Sequence, residues 1–146
     1  MNQAGKDRVS DTAQKLIAAA VAVRKNAAAH HSGFSVGAAI EDSEGKIWTG
    51  CNVESNSYGL SCCAERVALF KAISEGVRDF ERIAIVAGGP NLASPCGACR
   101  QVLHDYAPGL DVILHNPGNG ATETHTLKSL IPNAFADSDL KTEERS

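Results

Sequence analysis

Aromatic residues are scarce in this chain, at 5% of 146 residues, with one Trp, two Tyr and four Phe. Each aromatic that lies near a motif therefore carries more weight than usual. A basic excess is also missing: 14 Lys and Arg stand against 17 Asp and Glu, for a net charge of -3. That excludes the electrostatic footprint expected of a nucleic-acid binder. No apolar run approaches the roughly 20 residues of a membrane-spanning helix, so no membrane association is expected. Residues 1–12 are polar, without the apolar core of a signal peptide, and a cytoplasmic location follows as an expectation. No internal repeat, low-complexity tract or linker divides the chain. The expectation is one domain over residues 1–146, with flexible ends at about 1–11 and 137–146.

What is present suits a soluble globular domain: 43% hydrophobic and 21% charged residues. A chain of this size buries roughly 68–70% of its unfolded surface, enough for a core without disulfides. The five cysteines then point to metal chemistry in a reducing compartment rather than to bridges. Four of them fall in two motifs, Ser61-Cys62-Cys63-Ala64-Glu65-Arg66 and Pro95-Cys96-Gly97-Ala98-Cys99. Each motif stands where a helical pattern begins. Ser94-Pro95 reads as an N-cap and first helical residue, and Ser61 as the cap of the other helix. The orphan amides and positive dipole end at a helix start favour thiolate, the form zinc requires.

Spacing assigns the roles. Cys96 and Cys99 are one helical turn apart and can grip one metal. Arg66 stands in the same relation to Cys63 and can lean back over its sulfur. Glu65 is offset, as a neighbour of the metal rather than a ligand. Three ligands, Cys63, Cys96 and Cys99, leave a fourth tetrahedral position for water, the mark of a catalytic zinc. Three thiolates also leave excess negative charge on the metal, which Arg66 is placed to offset. Two rival readings compete. Cys51 as a fourth ligand would close a structural zinc site, although it falls on the strand face opposite Asn52. Cys96-Gly97-Ala98-Cys99 as a redox pair would leave Cys63, Glu65 and Arg66 unexplained. Cys62 reads as a packed thiol, and His104, His115 and His125 as ordinary surface or packing residues.

Hydrophobic patterning orders the rest. An Ala-rich helix is expected over about 12–29, opened by Asp11 and Gln14 as a capping box. Two strands over 36–41 and 46–53 read as a hairpin turned at residues 42–45, with Gly37, Ala38 and Ala39 marking close backbone approach. Alternation places Trp48, Gly50, Asn52 and Glu54 on one face. A helix over 63–76 follows, then a strand over 82–88 whose continuous apolar run implies burial on both faces. A third helix covers 95–106, a fourth strand 111–115 and a fifth 122–127. Strands alternating with helices give an α/β class, and the hairpin makes the sheet mixed.

These motifs also resemble a known family. Cys63-Ala64-Glu65 with Pro95-Cys96-Gly97-Ala98-Cys99 looks like the zinc deaminase signature in which Cys replaces the first His; in such enzymes the Glu is acid and base, not a ligand. More closely, the chain resembles the small homotetrameric cytidine deaminases from about residue 19 to residue 135. The resemblance includes Phe34-Ser35-Val36-Gly37-Ala38-Ala39, Asn52-Val53-Glu54 and Ser57-Tyr58-Gly59. It implies a three-layer sandwich with a mixed five-stranded sheet, one Zn²⁺ per chain, and a pyrimidine nucleoside substrate. It implies hydrolytic deamination of cytidine and 2′-deoxycytidine, with Glu65 as proton shuttle. It makes Phe34 a platform for the base, Asn52 and Glu54 the readers of a ribose hydroxyl, and Ala64 a backbone contact. Tyr58 and Phe135 look like positions that reach a neighbouring subunit's pocket, giving shared active sites in a homotetramer. The sequence departs from the family in two places: many relatives have Tyr at His31, and Ser55-Asn56 replaces the usual Asn-Ala. Blasticidin S deaminases share the Cys and Glu elements, and polynucleotide deaminases share the chemistry. The Asn52 and Glu54 pair disfavours the first, the net charge the second.

Overall fold

A computed structural model describes residues 10–140. Its order is α1 (Asp11–Arg24), β1 (Val36–Asp42), β2 (Ile47–Cys51), α2 (Ala64–Ser74), β3 (Phe80–Ala87), α3 (Gly97–Tyr106), β4 (Asp111–His115), β5 (Thr122–Thr126) and α4 (Leu127–Leu130). The five strands form one sheet in the order β2-β1-β3-β4-β5. Only β3 and β4 run parallel, joined through α3; the other neighbours are antiparallel. The sheet is mixed and α/β, as the sequence predicts.

Alternation along the central strands builds two cores. On one face Ala38, Ile40, Ile83 and Ile85 pack with Ala68 and Leu69 of α2 and Leu103 of α3. On the other, Ala39, Ala84 and Val86 pack with Ala13, Leu16 and Ala20 of α1. Each large buried aliphatic contributes roughly 1.5–3 kcal/mol relative to exposure. Helix, sheet and helix make three layers, and β3 is buried on both faces, as its apolar run requires.

Small residues set how closely the helices approach. A Cβ at Gly37 would stand 2.0 Å from the Ala20 carbonyl oxygen of α1, and one at Gly50 would stand 2.4 Å from the Ala68 amide of α2. Neither position admits a side chain. Gly50 brings α2 hard against β2, and so fixes where the helix begins.

Several boundaries differ from expectation. The cap of α1 is Ser10, whose hydroxyl accepts from the Ala13 amide at 3.2 Å, so Asp11 is the first helical residue. The helix ends at Arg24 rather than near residue 29, because Ala28 is drawn into pairing with the 52–54 segment. Its amide donates to the Asn52 carbonyl and its carbonyl accepts from the Glu54 amide, both at 2.9 Å. The strand β2 stops at Cys51, and β3 begins two residues early, at Phe80. Residues 137–140 form a short 3-10 turn rather than a loose tail. Of the expected flexible ends, 1–9 and 141–146 lie outside the described residues.

Candidate active site

The site forms where α2 and α3 begin, on the same face of the sheet. Their caps are the cysteines themselves. Cys63 and Cys96 both hold extended backbone immediately before the first helical turn, with ψ of 153° and 165°. Neither serine serves as the predicted cap, because each hydroxyl is committed elsewhere. Ser61 Oγ accepts from the Ser55 amide at 3.0 Å, and Ser94 Oγ accepts from Arg100 Nη2 at 2.7 Å. With Cys63 and Cys96 as the caps, both sulfurs sit at the positive end of a helix.

Cys63, Cys96 and Cys99 place their sulfurs within 4.8 Å of one another, the one such group of potential ligands among the described residues. Cys63 Sγ and Cys96 Sγ lie 3.8 Å apart. Two sulfurs at about 2.3 Å from a tetrahedral zinc stand about 3.8 Å from each other, so the trio fits zinc. The Cys99 amide donates to Cys96 Sγ at 3.5 Å. Cys51 takes no part: it pairs with Gly37 in the hairpin. Cys62 pairs its backbone with Val53, and burial pushes its thiol up. A closed four-cysteine site is therefore not formed.

Arg66 leans back as its spacing predicts, donating from Nη2 to Cys63 Sγ at 3.5 Å. The Cys63 thiol is pulled down to about 5, first by the bond from Cys99, then by Arg66 and Cys96, against burial. The bond with Cys63 and then burial push Cys99 the other way. Arg66 itself is held more firmly charged by its bond to Cys63.

Glu65 is only 4% exposed. Burial raises its carboxyl above the usual range, and bonds from Cys99 and its own amide only partly offset this. It lines a cavity of about 240 Å³ together with Cys63, Cys96, Phe34, Asn52 and Glu54. Ala64 and Ser94 also border this cavity. The structure thus gathers the predicted metal, acid–base and base-platform residues around one space.

Asn52 and Glu54 lie just beyond the end of β2 and enter the site already engaged. Asn52 donates to the Phe34 carbonyl and accepts from the Val36 amide, both at 2.8 Å. Glu54 accepts from Ser32 Oγ, from the Ser32 amide at 3.0 Å and from the His31 amide at 2.9 Å. These bonds, the Ser32 hydroxyl first, hold its carboxyl below the usual range. A carboxylate has about four acceptor sites, so one remains for a ligand.

Tyr58 is 74% exposed and Phe135 55% exposed. Tyr58 borders a second, open depression with His31, Ser32, Glu54 and Ser61. Phe135 is not brought to the cavity of its own chain; it lies in a separate groove with Gln101 and Tyr106.

Arg100 is a site residue that the sequence reading missed. It donates to the Pro95 carbonyl at 2.8 Å, the Leu130 carbonyl at 2.6 Å and Ser94 Oγ at 2.7 Å. Its guanidinium thereby pins the arm carrying Cys96. The i,i+4 placement of Arg100 after Cys96 was the available signal, but only the fold reveals the carbonyl of Leu130.

The family model described as "Cytidine and deoxycytidylate deaminase zinc-binding region" matches residues 10–114. A cytidine deaminase of Sporosarcina psychrophila is 42% identical over 127 residues, covering 87% of this chain and 93% of the relative. The crystal structure of cytidine deaminase from Burkholderia pseudomallei superposes with a TM-score of 0.82 at 44% identity, covering 87% of this chain and all of that one. A blasticidin-S deaminase of Bacillus cereus is more distant, at 34% over 111 residues and 70% of this chain. On a match of this extent, the chain belongs to the family of zinc-binding cytidine and deoxycytidylate deaminases.

Proposed function

We propose that this chain hydrolyses cytidine and 2′-deoxycytidine to uridine and 2′-deoxyuridine with release of ammonia. The observation that carries this reading is a buried carboxyl, Glu65, lining one cavity with Cys63 and Cys96, whose sulfurs cluster with that of Cys99. Cys63, Cys96 and Cys99 would hold the zinc, and Arg66 would balance their charge. When bound, zinc supplies the Lewis acid that makes hydroxide available at neutral pH. Glu65 accepts a proton from water and delivers it to the ring nitrogen beside the amine-bearing carbon. It then passes a further proton to the departing amine, so that water adds and ammonia leaves in balance. A carboxyl raised by burial suits a group that both takes and gives a proton. Phe34 flanks the flat base, the backbone at Ala64 and Ser94 contacts its edge, and Asn52 and Glu54 read the sugar hydroxyl.

Chain association belongs to the same reading. Exposed Tyr58, Leu60 and Phe135 are large apolar groups left uncovered in the single chain. A homotetramer in which Tyr58 and Phe135 cover neighbouring pockets would bury them. Among the described residues no helix is long and apolar enough to cross a membrane, and we read the chain as a cytoplasmic nucleoside enzyme without a nucleic-acid partner.

The test is loss of cytidine absorbance with uridine identified as product, run beside cytosine, cytidine monophosphate and blasticidin S. Turnover of blasticidin S in preference to cytidine would favour the more distant relative's substrate. Sedimentation of wild type and Phe135→Ala tests the assembly.

A further inference from the structure

The two places where the sequence departs from the family pattern meet in space. His31 Nε2 lies 3.0 Å from Asn56 Oδ1, and with its Nε2 proton in place it donates to that oxygen. His30 Nε2 stands 3.5 Å from the same atom. Tyr58 packs edge-on against the His31 ring at 5.0 Å, which fixes the ring's direction. The backbone amide of the same His31 donates to Glu54. One residue therefore grips both ends of the 54–56 segment, by its amide and by its ring.

We propose that His31 and Asn56 form a clasp that positions Glu54 for the sugar of the substrate. The inner end of this closure is backbone pairing, with Ala28 bridged to Val53. At the outer end, residues 31–32 touch Glu54 itself through three donors. Were those the only ties, any turn of the carboxylate toward a sugar hydroxyl would loosen the loop that orients it. The ring bond to Asn56 ties the loop down independently, so the donors stay in place while Glu54 uses its remaining acceptor site. Such preorganisation lowers the cost of binding rather than the barrier to chemistry. His31 and Asn56 are positioning residues and touch no reacting atom.

The inference rests on the nucleoside reading above, and its test keeps the two apart. His31→Ala and Asn56→Ala should each raise KM for cytidine about two- to tenfold, the range of one ordinary hydrogen bond, with a smaller change in kcat. The double variant should be no worse than either single one, because both remove the same bond. His31→Gln, which retains a donor, should recover part of the loss. With 2′,3′-dideoxycytidine, which offers Glu54 no ring hydroxyl, the variants should match wild type in KM to within about twofold. Equal losses on both substrates, additive losses in the double variant, or an unchanged KM for cytidine in Asn56→Ala would each overturn the clasp. Asn56 is exposed, so that variant carries the test even if His31→Ala folds poorly. Failure of wild type to turn over cytidine at all would instead contradict the nucleoside reading.

Discussion

Arg66 Nη2 donates to the sulfur of Cys63 at 3.5 Å, across one turn of α2. The guanidinium Nε beside it is buried and has no partner among the described residues, so the bond to Cys63 is the one that holds this side chain. Arg66→Gln should retain zinc and slow turnover, because three thiolate charges are then less balanced and the metal is a weaker Lewis acid. Zinc content by elemental analysis beside kcat checks this. An unchanged rate would make Arg66 a bystander.

Substitution of any one ligand should release the metal. Cys63→Ala, Cys96→Ala and Cys99→Ala are each expected to lower bound zinc, while Cys51→Ser and Cys62→Ser keep about one per chain, as three-ligand catalytic sites require. Zinc loss from Cys51→Ser would revive the closed, structural arrangement.

Glu54→Ala should weaken cytidine turnover while leaving zinc content unchanged. A hydrogen bond to a charged acceptor contributes about 1.5–3 kcal/mol, or roughly ten- to a hundredfold in kcat/KM. Free cytosine, which has no sugar, should be a poor substrate for wild type and little affected by the change. Cytidine turnover at the wild-type rate by Glu54→Ala would remove the sugar-reading role.

A stability effect is expected at the hairpin turn. Asp42 is 5% exposed and accepts from the Glu44 and Lys46 amides at 2.9 Å and from Trp48 Nε1 at 3.1 Å. Burial raises its pKa, but these bonds, with Trp48 foremost, outweigh burial and leave it below the ordinary carboxylate value of 3.8. A carboxyl depressed in the folded state stabilises above its unfolded pKa, and the contribution is lost as pH falls through the folded value. Asp42→Ala should therefore cost about 1–3 kcal/mol near neutral pH, from donors left unsatisfied. The difference from wild type should shrink below pH 3.8. Denaturant titrations at two pH values measure it.

Much of this site was legible before the fold because helical spacing carries geometry. The separation of Cys63 from Arg66 and of Cys96 from Cys99 fixes which side chains meet within a turn. The continuous apolar run of β3 likewise implies burial on both of its faces. The cap residues were not legible, since Ser61 and Ser94 spend their hydroxyls on Ser55 and Arg100, partners that local sequence does not reveal. The end of α1 was obscured for a similar reason: residues 25–29 have helical composition, and only pairing of Ala28 with the 52–54 segment pulls them out. His31 and Asn56 are 25 residues apart, so their meeting depends on the tertiary closure alone.

The central claim is that Glu65 moves the protons of a zinc-dependent deamination, and turnover of cytidine by Glu65→Gln, with zinc measured in the same sample, tests it most directly. The account predicts a folded protein with zinc retained and kcat lowered by about 10²–10⁴-fold or more, the contribution of a positioned acid–base group used repeatedly. Near-wild-type formation of uridine by that zinc-loaded variant would contradict it.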